Sequence, residues 1–148
     1  MTGWRLGFVC GNKEAIQALG TIKNNLDSGT FKAIQQAGAL AYSAPKTETA
    51  GLVKMYEERK HVLENGLKEL GWDIKPTKGT IFMWVKTPMG MKSEQFANLM
   101  LEKAAVVVPA GIGYGQYGEG YFRIALTQEV DRLKEVIQRM KDAGIRYQ

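Results

Sequence analysis

Two arginines occupy positions where a charge needs a reason. Arg5 lies between Gly3 and Gly7 and leads into the apolar run Leu6-Gly-Phe-Val-Cys10. Arg123 interrupts the otherwise apolar stretch of Glu119-Gly-Tyr-Phe-Arg-Ile-Ala-Leu126. A planar guanidinium grips a phosphate or a carboxylate through two parallel N–H bonds, which the point charge of a lysine does not match. Flanking glycines let the backbone turn sharply and approach a ligand closely. A charge inside an apolar strand is costly to bury unless paired. Two anion clamps are therefore one reading. The alternatives are a solvated strand face and an arginine paired with an internal carboxylate.

The elements that hold these arginines follow from periodicity. Residues 4–10 read as a short buried strand, with Arg5, Gly7 and Val9 on one face. In residues 121–126 alternation puts Phe122, Ile124 and Leu126 on one face and Tyr121, Arg123 and Ala125 on the other. Asn12 can cap a helix with Ile16, Leu19 and Leu26 along one stripe. A second helix covers about 30–42, and Pro45 closes it. The clearest helix covers about 48–70, with Leu52, Arg59, Leu63, Leu67 and Leu70 at helical spacing and Gly71 as its stop. Strands are expected at 72–75, 81–86 and 105–109. Ser93 should cap a helix to Lys103 that turns Phe96, Leu99 and Met100 inward. A last helix, about 128–143, buries Val130, Leu133, Ile137 and Met140. Interleaved strands and helices imply a mixed sheet covered by helices, an α+β domain within the α/β class.

Composition is that of a globular chain: 148 residues, 45% hydrophobic and 24% charged. The net charge of +5 raises nucleic-acid binding as a possibility. The lysines are scattered among acidic residues, as in Glu57-Glu-Arg-Lys60, which reads as solvated helix surface. No run is apolar enough to span a membrane. A single cysteine, Cys10, forms no intrachain disulfide and reads as a small buried hydrophobe, which fits the cytoplasm. His61 is the only histidine and has no metal-ligand cluster around it. Gly113-Tyr-Gly-Gln-Tyr-Gly118 satisfies GxGxxG, but a strand follows where the dinucleotide motif needs a helix. It reads instead as part of a loop, 111–120, able to close over a ligand, with Tyr114 and Trp4 as candidate pocket walls.

Met1, Gly3, Arg5, Leu6 and Gly7 together resemble the end of a motif in the class I and II aminotransferases, of the fold type I pyridoxal phosphate (PLP) group. Arg123, after a glycine-rich loop, is similar in order and context to the late arginine of that family. Residues 24–38 resemble the branch that holds LL-diaminopimelate and aspartate-type aminotransferases. The resemblance covers essentially the whole chain. It implies that Arg5 holds the PLP phosphate and that Arg123 binds the α-carboxylate of the substrate. The lysine that carries the cofactor would stand eight residues before Arg5, ahead of Met1, so no catalytic residue is assigned and the chain alone is expected to be inactive.

The resemblance further implies two parts. Residues 1–45 would be a remnant of the large PLP-binding domain. Residues 46–148 would be the C-terminal small domain with its long linking helix. Amino acids and 2-oxo acids would be the substrates, and the parent a cytoplasmic homodimer that binds neither nucleic acid nor membrane. A PLP-dependent lyase or synthase fits the same frame. A non-enzymatic basic α/β binding module is the reading from a different class.

Overall fold

The computed structural model describes residues 3–147. Met1, one position of the N-terminal motif, lies outside the described residues. The chain divides into two compact units, 1–49 and 50–148.

The first unit carries α1 (Lys13–Leu26) and α2 (Lys32–Ser43). Asn12 caps α1 as expected: its side-chain oxygen accepts from the Ala15 N–H at 3.0 Å. Neither helix contains a buried residue. Phe8, Leu26, Phe31, Leu40 and Tyr42 are all more than two-thirds exposed. The strand expected at 4–10 is not formed. Residues 3–5 make a turn and the following residues adopt no regular structure. A strand needs a neighbour to satisfy its backbone groups, and this unit contributes none among the described residues. Cys10 is likewise exposed, not buried.

The second unit has the core. Helix α3 (Thr47–Glu69) begins before residue 50 and runs into it. Its Leu63 and Leu67 are fully buried, whereas Leu52, expected on the same stripe, is exposed. Strand β1 (Phe82–Lys86) pairs antiparallel with β2 (Tyr121–Ala125), with Trp84 opposite Arg123 and Val85 opposite Phe122. Between them lie α4 (Ser93–Ala104) and two 3₁₀ turns, Gly111–Tyr114 and Gln116–Gly118; α5 (Val130–Asp142) follows. Met83, Val85, Phe122 and Ile124 turn one sheet face into a core with Phe96, Met100, Leu133, Ile137 and Met140. Phe96 lies 4.5 Å from Phe122 between ring centroids and meets Trp72 edge-on. Gly66 admits Ile137, because a Cβ there would lie 2.4 Å from that side chain.

The sheet has fewer strands than expected. Residues 72–75 bury Trp72 and Ile74 but do not pair as a strand; the Trp72 indole N–H donates to the Lys86 carbonyl at 2.8 Å. Residues 105–109 begin with Ala105 in the left-handed region, φ 52°, at the end of α4. They keep period-two burial, with Val108 buried and Val107 exposed. Pairing is limited to an isolated bridge, Ala110 with Phe122, and a bond from the Arg123 N–H to the Pro109 carbonyl. Ser93 is not the cap of α4. Lys92 holds that position, and its N–H donates to the Gln95 side chain.

Candidate functional site

Arg123 is placed by the strand register. Because Met83, Val85, Phe122 and Ile124 must face the core, Phe82, Trp84, Tyr121 and Arg123 share the opposite face of the two strands. The guanidinium carbon lies over the Phe82 ring, 4.0 Å from its centroid, and over the Tyr114 ring at 4.7 Å. Both lie within cation–π range. No carboxylate pairs with Arg123 among the described residues. Its Nε is buried and has no hydrogen-bond partner. A buried, unsatisfied charged donor is costly in a folded protein unless something supplies the acceptor.

A cleft of about 310 Å³ has Arg123 in its lining together with the core-side Leu63, Ile124 and Leu133 and with Arg132 and Arg139, but neither Phe82 nor Tyr114 lines it. Arg132 and Arg139 both pair with Glu135. The Arg139 guanidinium is the main cause of a Glu135 carboxyl held below its ordinary range. One carboxylate thus serves two of these guanidinium groups. Arg123 has no such partner among the described residues.

The loop 111–120 is folded into two 3₁₀ turns. Its two 3₁₀ turns are fixed by bonds from Gly113 N–H to the Ala110 carbonyl and from Gly115 N–H to the Ile112 carbonyl. Gly111 and Gly118 meet backbone to backbone: a Cβ on either would fall 2.0 Å from the carbonyl oxygen of the other. Glu119 ties the loop to α4. It accepts from the Ser93 N–H at 2.7 Å, from the Ser93 hydroxyl at 3.3 Å and from the Gly120 N–H at 2.9 Å. The Ser93 backbone bond is the largest reason that the Glu119 carboxyl sits below its ordinary range. A negative charge at the first turn of α4 also meets the positive end of the helix dipole.

Arg5 lies in the first unit, in a turn, exposed and with φ 54°. A Cβ on Gly3 or Gly7 would meet nothing within 4 Å. The Arg5 side chain is exposed, and guanidinium donors in general suit a phosphate. His61 is surface-exposed beside Glu64, 3.5 Å away, and no metal-ligand cluster occurs among the described residues. Trp4 is exposed, and the Tyr114 ring lies beside the Arg123 guanidinium.

Sequence reasoning missed three aromatic neighbours of Arg123: Phe82, Trp84 and Tyr121. Their signal was present in the alternation of residues 82–86 and 121–125, but only the cross-strand register joins the two faces. It also placed Arg59 on an apolar stripe without a role. Arg59 is buried, bonds the Leu126 carbonyl at 3.4 Å and pairs with Glu129, so it fastens α3 to the exit of β2.

The family model described as "Aminotransferase class I and II" matches residues 1–140. The LL-diaminopimelate aminotransferase 2 of Trichormus variabilis is 52% identical over 147 residues, which is 99% of this chain and 38% of that protein. The LL-diaminopimelate aminotransferase of Moorella thermoacetica is 46% identical over 141 residues, 95% of this chain and 36% of that one. Among solved structures, apo-BacF from Bacillus subtilis superposes with a TM-score of 0.80 at 33% identity, over 100% of this chain and 38% of that one. An aromatic aminotransferase from Pyrococcus horikoshii gives 0.78 at 31% identity, over 96% and 39%. The chain thus spans somewhat over a third of the length of the relatives it matches. On these matches, and on an α+β fold shared with aminotransferase structures, the chain belongs to the class I and II aminotransferase family.

Proposed function

We propose that these residues form the C-terminal part of a PLP-dependent aminotransferase that moves an amino group between an amino acid and a 2-oxo acid. The single observation that carries this reading is Arg123: a strand arginine beside two aromatic rings, without an ion pair among the described residues, whose buried Nε lacks an acceptor. A substrate carboxylate would complete it. Because the relatives named above are LL-diaminopimelate aminotransferases, LL-diaminopimelate is the proposed amino donor. A role in amino-acid biosynthesis goes with that substrate, and a cytoplasmic homodimer is the proposed state of the parent.

In this reading residues 1–45 belong to the large cofactor domain and 46–148 to the small domain. The exposed apolar side chains of the first unit support it, since such surface ordinarily packs against something. Arg5 would hold the PLP phosphate. Its exposed side chain and bidentate donors fit that group. PLP, when bound, supplies an electron sink for the bond broken at the substrate Cα. Arg123 contributes by fixing the carboxylate, so that the Cα–H bond is held in one orientation; this is catalysis by positioning.

The test uses the complete enzyme that carries this sequence. Arg123→Ala should lower kcat/KM for LL-diaminopimelate by ~2–5 kcal/mol of lost charge pairing, with PLP still retained. Arg5→Ala should instead weaken PLP retention, read by dialysis and absorbance. If Arg123→Ala matched the wild type in kcat/KM for both amino and 2-oxo substrates, the assignment would be wrong.

A further inference from the structure

We propose that Tyr114 is a positioning residue for Arg123: its ring sets the orientation of the guanidinium that receives the carboxylate. This rests on the reading of Arg123 as a carboxylate clamp. A guanidinium binds a carboxylate along its N–H edge, in its own plane, so the plane must be set before the ligand arrives. Arg123 has no ion pair among the described residues to set it. What surrounds the cation instead is the Phe82 ring at 4.0 Å and the Tyr114 ring at 4.7 Å. Two ring faces against the cation restrict the ways its plane can turn without supplying a competing acceptor.

Phe82 belongs to the sheet and is fixed by register. Tyr114 is fixed by a separate device. It ends the first 3₁₀ turn, which the Gly111–Gly118 backbone contact pins in place. Trp84 meets its ring edge-on at 5.5 Å, and Trp84 is itself stacked on Tyr121 at 5.8 Å with the planes 19° apart. Tyr114 is half exposed and contributes nothing to the main core, so a defect on its removal reports on Arg123 and not on folding. The contact uses the ring and not the hydroxyl. Tyr114→Phe should therefore behave as wild type and Tyr114→Leu should not.

The test is NMR of the complete enzyme that carries this sequence, labelled with ¹⁵N-arginine, in two arms. Without ligand, the Arg123 Nε–H chemical shift and the rotation rate about Nε–Cζ are compared across variants. Tyr114→Leu should move the shift and speed the rotation, while Tyr114→Phe restores both; urea midpoints should be unchanged in each. With 2-oxoglutarate as probe and chloride as the ionic-strength control, Tyr114→Leu should weaken the saturable Arg123 response about 5-fold. An unchanged shift, rotation and affinity in Tyr114→Leu would overturn the positioning role while leaving the clamp intact. Wild-type Nε–H indifferent to 2-oxoglutarate, or a binding response that survives Arg123→Ala, would overturn the clamp itself and this proposal with it.

Discussion

A methyl group added at residue 111 should do more damage than one added two residues later. At Gly111 a Cβ would stand 2.0 Å from the Gly118 oxygen and 2.6 Å from the Tyr121 oxygen. Both obstacles are backbone, so no side chain can swing aside. The opposing carbonyl must retreat by roughly 1 Å to reach even the shortest contact a Cβ tolerates. That segment is held by bonds from Thr87 N–H to the Gly120 carbonyl and from Ile112 N–H to the Ser93 hydroxyl, and the retreat strains both. Overpacking of this kind costs about 2–3 kcal/mol. At Gly113 a Cβ would meet nothing within 4 Å and φ is not positive, so Gly113→Ala should gain ~0.4–1 kcal/mol by stiffening the unfolded chain. With a urea slope of about 1.5 kcal/mol/M, the two midpoints should separate by roughly 2 M. The assay is urea titration by tryptophan fluorescence in a Trp4→Phe background, where Trp72 and Trp84 supply the signal. Gly118→Ala should follow Gly111→Ala, since the contact is reciprocal. Superimposable curves for Gly111→Ala and Gly113→Ala would refute the close approach on which the placement of Tyr114 depends.

Other expectations concern the core, the α4 terminus and the contrast between units. Phe96→Ala empties a fully buried site shared with Phe122 and Trp72, and should cost ~3–5 kcal/mol in the same titration. Glu119 has a carboxyl lowered from its ordinary 4.5 by hydrogen bonds made in the folded state. Its contribution is fully present above that value and is lost as pH falls through the lowered one. Thermal midpoints measured from about pH 7 to about pH 2 should therefore drop less steeply for Glu119→Gln than for wild type, and parallel profiles would count against the cap. Hydrogen exchange followed by mass spectrometry should show α1 and α2 exchanging far faster than β2 and α5, because the first two helices bury no residue.

What the sequence disclosed was whatever local spacing decides. The buried Phe96 and Met100 of α4, and Leu133, Ile137 and Met140 of α5, recur at three and four residues, so one face of each helix could be named in advance. Arg123 could be assigned to the non-core face of β2 from alternation alone. Strand 4–10 failed for the opposite reason: apolar alternation marks a segment able to pair, but pairing needs a second strand, and nothing within residues 3–49 supplies one. Residues 105–109 show the same limit in milder form, keeping the alternation while the one bridge falls at the adjoining Ala110.

The surroundings of Arg123 were hidden because they are assembled from three separate stretches of chain. Phe82 and Trp84 reach it through register, and Tyr114 through a 3₁₀ turn whose two glycines look, in sequence, like mobility. Here the small residues act oppositely. Their missing side chains let two backbones touch, and the touching holds a tyrosine still beside a cation. A glycine-rich loop can thus be held by backbone contact beside a strand arginine. Sequence alone cannot separate that from a lid, because both need the same residue type for different reasons: free torsion in one, close approach in the other.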